Sequence, residues 1–463
     1  MKQSEGASRE DGSTDVRPTW SRSERPVPRL VMRPLQAFLA TEQAGGLLLL
    51  MAAAAALIWA NSAPGAYEGL WGTPVTLRAG AWSVSEDLRH WVNEGLMTLF
   101  FFVVGLEIKR ELTTGELRDF RVAALPAVAA VGGMVVPALL YIAFNTDGPG
   151  SRGWGIPVAT DIAFALGVLA IVGKRVPSGL KAFLLALAIA DDIGAIVVIA
   201  VFYSSDVSWV ALGVAVALFG ALALLHRLNV RWIAVYVVVG VGVWLAIFLS
   251  GVHATIAGAF LGLLAPARPF QRPVAVSQEA HRVAEETVDD PDPPDADAHH
   301  WLRLAELSRE AVSPLARLGH GLHPWTSYLI VPLFALANAG VHLRGDALAD
   351  AFDTNVTIGI VGGLVVGKPL GVCLATWLCI RLGLTTLPPD VTWRQFLGVA
   401  ALAGIGFTVS LFISDLAIRD PEVREAAKFG ILVASVIATV FGAALLWRSG
   451  RRATSSGRPE IPE

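Results

Sequence analysis

Apolar residues in this chain come in long unbroken runs, without the every-second-residue spacing of a half-buried strand. Runs of roughly 17 to 25 residues, the length that crosses a bilayer core, lie near 45–62, 91–108, 122–144, 156–173, 180–202, 208–225, 232–249, 252–266, 324–342, 355–380, 396–416 and 429–447. The shortest is 252–266. The pattern predicts an all-α polytopic membrane protein of about twelve transmembrane helices, an even number that puts both termini on one side. Between the first two runs, Val75 and Leu77 alternate with polar residues before Arg78-Ala79-Gly80, and Trp82 and Val84 alternate after it. That stretch, 73–84, reads as a small β-hairpin. A hairpin alone in water is marginal, so a second chain is expected to complete its sheet.

Composition agrees with the runs. The set AVILMFWYC makes up 54% of 463 residues, and the 45 glycines raise this to about 64%, well above the ~45–50% of soluble domains. A water-soluble single core is excluded. With 36 basic and 39 acidic residues there is no nucleic-acid footprint. Cys373 and Cys379 lie six apart in one apolar run, which precludes a disulfide framework.

The basic residues are unevenly placed. Short segments on one side carry fifteen Lys or Arg, among them Lys109, Arg110, Lys174, Arg175, Lys181, Arg381 and Arg448; the other side carries seven, including Arg78, Arg344 and Lys428. By the positive-inside rule both termini are expected in the cytoplasm and the hairpin outside. Residues 1–40 hold seven Lys or Arg among Ser, Pro and acids, which predicts an unstructured cytoplasmic tail and no cleavable signal. Glu285 to Asp297 holds seven acids, three prolines and no Lys or Arg, so 268–312 is expected to be a disordered cytoplasmic insert. It would divide a first membrane part, 41–267, from a second, 313–450, followed by a tail at 451–463.

Against this apolar background few ionisable groups fall inside the runs. Asp161, the adjacent pair Asp191-Asp192 and Lys368 are the ones that stand out, each costing ~2.5–3.5 kcal/mol to insert near the bilayer centre. One lysine can neutralise one aspartate as a purely structural pair, yet three carboxylates leave a remainder. Adjacent aspartates lie ~100° apart on a helix, so one can face the lysine while its neighbour faces a water-filled cavity. Two carboxylates that close resist simultaneous ionisation, which suits proton exchange and competition by a small hard cation. Two runs also carry helix breakers at depth: Gly153, Gly155 and Pro157 precede Thr160-Asp161, and Ala403-Gly404-Ile405-Gly406-Phe407-Thr408 interrupts the eleventh. Interrupted segments in corresponding places of two halves point to a transporter site, with Asp161 and Lys368 available to compensate the half-helix ends.

These residues resemble the NhaA-type sodium/proton antiporters of bacterial inner membranes. The matching strings are FFVVGLEIKRE (101–111), ATDIAFALG (159–167), LAIADDIGAI (187–196), LSGVHAT (249–255), PLFALANAG (332–340) and GKPLG (367–371), in the family's order over about 40–450. The resemblance implies twelve helices with inverted repeats, the fourth and eleventh unwound and crossing near the midplane. It implies that Asp192 is the primary cation carboxylate, Asp191 its partner able to pair with Lys368, and Thr160 and Asp161 the residues at the crossing. Glu107, Arg110 and Glu111 match a cluster tied to pH response, for which His253, His320 and His323 are further candidates. The 73–84 hairpin resembles the family's homodimer contact. Two departures stand out: the long acidic insert, and Gly319 where well-known members carry a glutamate.

The expected activity is export of Na⁺, and of Li⁺, against external protons across a lipid bilayer, with no cofactor and no enzymatic step. Two rival classes remain open. A sodium-coupled symporter of organic anions would need a roomy polar cavity, and an intramembrane aspartyl protease would place its aspartates on different helices with a Gly-x-Gly-Asp signature absent here.

Overall fold

A computed structural model describes residues 44–453 apart from 81, 174–175, 205, 229, 231, 289–293, 343–353 and 388–390. The expected tail at 1–40, residues 454–463 of the expected tail at 451–463, and the basic positions Lys174, Arg175 and Arg344 lie outside the described residues.

The described chain is almost wholly helical. In order come α1 (Ala44–Ser62), α2 (Pro64–Trp71), the strands β1 (Pro74–Ala79) and β2 (Trp82–Asp87), α3 (Leu88–Thr113), α4 (Phe120–Phe144) and a 3₁₀ segment at Ser151–Val158. Then follow α5 (Ile162–Val172), α6 (Ser178–Phe202), α7 (Trp209–Arg227), α8 (Ile233–Phe248), α9 (Thr255–Leu264), α10 (Pro273–Val288) and α11 (Pro294–Glu310). Last are α12 (Pro314–Trp325), α13 (Val331–Asn338), α14 (Asn355–Gly362), α15 (Lys368–Arg381), α16 (Trp393–Leu402), α17 (Phe407–Ala417) and α18 (Pro421–Ala453). Eight helical stretches are long and apolar enough to span a membrane, and the bent pair α16–α17 makes a ninth. With the shorter α8 and α9 and the continuous α12–α13 helix, twelve segments among the described residues follow the order of the apolar runs.

Three spans contain a π-helical turn: Trp91–Leu96 in α3, Thr326–Ile330 between α12 and α13, and Gly363–Gly367 between α14 and α15. Such single turns are frequent at functional sites. The β-hairpin is antiparallel with Ala79 opposite Trp82 and Pro74 opposite Asp87. Its two-residue loop contains Gly80 at φ +62°, a left-handed conformation that glycine adopts without steric cost.

Close packing comes from small residues, as between membrane helices generally. Across α4 and α15, a Cβ on Gly132 would lie 2.4 Å from the Gly371 carbonyl oxygen, and one on Gly371 would lie 2.1 Å from that of Gly132. This contact sets the height of Lys368, three residues before Gly371.

The expected disorder of 268–312 needs correction. Pro273–Val288 and Pro294–Glu310 are helices packed on each other. Their base is closed by the Phe270 and Gln271 amides, both donating to the Glu310 carbonyl at 3.0 and 3.2 Å. Val276 and Val283, seven apart on one face of α10, are buried. The acid count of 285–297 concealed that stripe; residues 289–293 within it are not described.

Candidate functional site

The fourth span is broken. Its 3₁₀ half ends at Val158, Ala159 to Asp161 are extended, and α5 begins at Ile162. The eleventh breaks between Leu402 and Phe407, with a bend of 46°. The breaks touch: the Asp161 amide donates to the Ile405 carbonyl at 2.7 Å, and the Thr160 hydroxyl lies 2.8 Å from the Ala403 carbonyl. Glycine permits the approach to the tenth span as well, since a Cβ on Gly404 would meet the Leu364 carbonyl at 2.3 Å.

A broken helix exposes four backbone groups at each new end, and lipid offers them no partners. Side chains meet that demand here. Asp161 is the N-cap of α5, its Oδ1 accepting from the Phe164 amide at 3.0 Å, while Oδ2 accepts from the Thr408 amide at 3.1 Å and the Thr408 hydroxyl at 2.6 Å. One carboxylate therefore serves the N-termini of two half-helices, where the dipole favours negative charge. At the opposite polarity Lys368 donates to the Val158 carbonyl, at the C-terminal end of the 3₁₀ half. Ser410 donates to the Ile156 carbonyl at 2.7 Å, and Gly155 donates to the Tyr203 hydroxyl at 3.0 Å.

Asp191 and Asp192 sit mid-way along α6. Asp191 is fully buried; its Oδ2 takes a hydrogen bond from Thr160 at 2.5 Å and an ion pair with the equally buried Lys368. Its Oδ1 is buried with no hydrogen-bond partner. Asp192 is 6% exposed, and none of the described residues donates to its carboxylate. The arrangement thus offers two adjacent carboxylates, one half-neutralised by a lysine, with oxygen lone pairs uncommitted beside a helix break. Hard cations prefer such all-oxygen surroundings.

The remaining sequence candidates fall into two places. Glu107, Arg110 and Glu111 lie on α3, and α12, which carries His320 and His323, packs against α3 through Leu315 and Leu318 on Leu106 and Phe102. His253 is elsewhere: Nδ1 faces Glu94 Oε1 at 3.0 Å and Nε2 faces the Tyr203 carbonyl at 3.2 Å. The second Glu94 oxygen accepts from the Ala254 amide at 2.9 Å.

Glu94 did not stand out in the sequence, nor did Asp415 or Lys428, yet all three are largely shielded within helices. The set of charged residues buried among the helices is therefore larger than Asp161, Asp191, Asp192 and Lys368. Lys428, expected in the segment between the eleventh and twelfth runs, lies on α18, which begins at Pro421. Glu94 and Asp415 lie near the ends of the runs 91–108 and 396–416, and Lys428 immediately precedes the run 429–447, where a charge is less conspicuous than in mid-run.

A sequence model of the family described as Na⁺/H⁺ antiporter 1 matches residues 36–446. The chain belongs to this family. Curated relatives include Na(+)/H(+) antiporter NhaA 2 of Sorangium cellulosum, 47% identical over 94% of both chains. Na(+)/H(+) antiporter NhaA of Syntrophobacter fumaroxidans is 45% identical over 91% of this chain and 92% of its own. That of Escherichia coli O139:H28 is 46% identical over 89% of this chain and 97% of its own. For an Na⁺/H⁺ antiporter 1 family member, a paired carboxylate beside touching helix breaks is the natural place to look for the exchange chemistry.

Proposed function

We propose that this multi-pass membrane protein is a secondary sodium/proton antiporter in which Na⁺ or Li⁺ competes with protons for Asp191 and Asp192. The observation that carries this is the buried α6 pair, in which Asp191 is engaged at one oxygen only and Asp192 has no described donor. Protonated, the pair presents no net charge to be solvated in a low-dielectric site; ionised, it repels itself unless a cation neutralises it. Proton and cation occupancy are thereby mutually exclusive. A site alternately open to each face then exchanges one for the other.

Lys368 makes the exchange sharper. Its ammonium and a cation draw on the same Asp191 carboxylate, so cation entry weakens the ion pair. If two protons leave per cation bound, one net charge moves inward per cycle, worth ~2.3 kcal/mol per 100 mV. Both termini lie in the bacterial cytoplasm by the distribution of Lys and Arg, and the hairpin, both of whose outer edges are open among the described residues, supports pairing with a second copy. Glu107, Arg110, Glu111, His320 and His323 lie on two packed helices and supply a group through which pH acts on the rate.

The deciding variant is Asp192→Asn, which keeps the shape and loses the charge. In everted vesicles it should abolish proton movement triggered by Na⁺ or Li⁺. Exchange retained at the parent rate would refute a single competitive site at this pair.

A further inference from the structure

A second polar cluster lies at one end of the bundle, away from the paired aspartates. Asp415, near the C-terminal end of α17, is largely buried and faces Lys428 of α18 at 2.9 Å, with Arg424 at 3.9 Å. Its other oxygen accepts from the side-chain amide of Asn93 at 3.2 Å. Asn93, on the π-helical turn of α3, is interlocked with Asn338 at the end of α13: Asn338 donates to Asn93 at 2.8 Å and Asn93 to Asn338 at 3.3 Å. Four spans, the second, ninth, eleventh and twelfth, meet in this one network.

The bonds are not equivalent. Three residues, 418–420, join α17 to α18, so the Asp415–Lys428 pair moves as a unit. The Asn93 contact crosses 322 positions of sequence to a different part of the bundle. A displacement of α17–α18 against α3–α13 leaves the ion pair whole and breaks the amide contact. At its other end, seven residues or ~10 Å away, α17 presents Thr408 to Asp161. The half-helix that forms one wall of the helix break is held at both ends; Phe412 in its middle packs on Phe101 of the second span and Phe334 of the ninth, and the directional tie to those spans is the polar contact at the far end.

We propose that Asn93 and Asp415 are positioning residues for the exchange, a latch that holds α17 against α3 and α13 and sets the balance between the two access states. This rests on the antiport reading above. A buried polar contact of this kind contributes little net stability but fixes one arrangement against another. Releasing it therefore changes populations, and with them the apparent affinity seen from each face.

The test is Asn93→Ala, compared with the parent in everted and right-side-out vesicles, with the apparent Na⁺ KM read at each face. The ratio of the two values should shift by about threefold to tenfold, the worth of the Asp415 contact alone, since the Asn93–Asn338 bonds join α3 to α13 and are the same in both states. If Asn93→Ala does not accumulate, Asn93→Ser, too short to reach Asp415, gives the same reading. A contact that merely supports the fold would lower melting temperature and maximal rate equally in both orientations; an unchanged KM ratio overturns the latch. Absence of Na⁺-driven proton movement in the parent would instead overturn the antiport reading itself.

Discussion

Lys368 shows how much one side chain carries at the scale of single residues. It neutralises Asp191 and satisfies a half-helix carbonyl, and both partners are buried. Lys368→Ala should lower stability in detergent by about 3–5 kcal/mol, the usual consequence of orphaning one member of a buried pair, visible as a fall in melting temperature. An unchanged melting curve would remove the structural part of its role. Asp161, Asp191 and Lys368 were legible because a charge in an apolar run is conspicuous. Ser410 and Tyr203, which satisfy the backbone of the broken fourth span, were not: hydroxyls in apolar runs are common, and only the geometry of the break shows which ones matter.

Among elements, the breaks were legible and the π-helical turns were not. Gly, Pro and Thr cluster visibly at 153–161, and Gly and Thr at 403–408. The turn at Gly363–Gly367, by contrast, contains only Gly, Leu and Val and differs from α-helix in hydrogen-bond offset alone. The Gly132–Gly371 contact lets α15 approach α4 closely enough to bring Lys368 beside Val158. Gly371→Leu has no room there. Backbone displacement should cost at least the 1–3 kcal/mol typical of overpacking, with Na⁺-driven exchange lost even where protein accumulates. The insert offers the opposite case. Its ends converge where Phe270 and Gln271 meet Glu310, so excising 272–309 and joining the stumps with a short Gly-Ser linker should leave exchange in vesicles near the parent rate. A large loss at normal expression would show that α10–α11 acts on the membrane core.

For the molecule as a whole, the apolar runs foretold the order of spans, while the contact between the fourth and eleventh came through the family resemblance and not through composition. Nothing in local pattern says that two interruptions 240 residues apart meet. The same limit applies to the pH-response candidates, since the sequence does not say which of them lie together: His253 contacts Glu94, while His320 and His323 lie on α12. Gly319 faces open space on α12, so a glutamate can be introduced there without a clash. Its charge favours the imidazolium form of neighbouring histidines. If deprotonation of His320 and His323 activates exchange, Gly319→Glu should displace the rate–pH profile to higher pH while leaving the apparent Na⁺ affinity at the plateau unchanged. A superimposable profile would assign the pH dependence to proton competition at Asp191 and Asp192 alone.

The double cap formed by Asp161 also bears on how the protein is made. Its two helical partners lie on opposite sides of the acidic insert, and the Thr408 amide follows it by 247 residues. At ribosomal rates of about 5–20 residues per second, roughly 12 to 50 s of synthesis separate the two. During that interval the emerging fourth segment holds a buried carboxylate with the Phe164 end alone to receive it, and the Ala159–Asp161 backbone still lacks the Ile405 carbonyl. The first two hundred residues can enter the bilayer, but their central break is completed only when the eleventh segment arrives. A nascent chain halted before residue 400 should therefore be a far better substrate for membrane quality-control proteases than the finished protein.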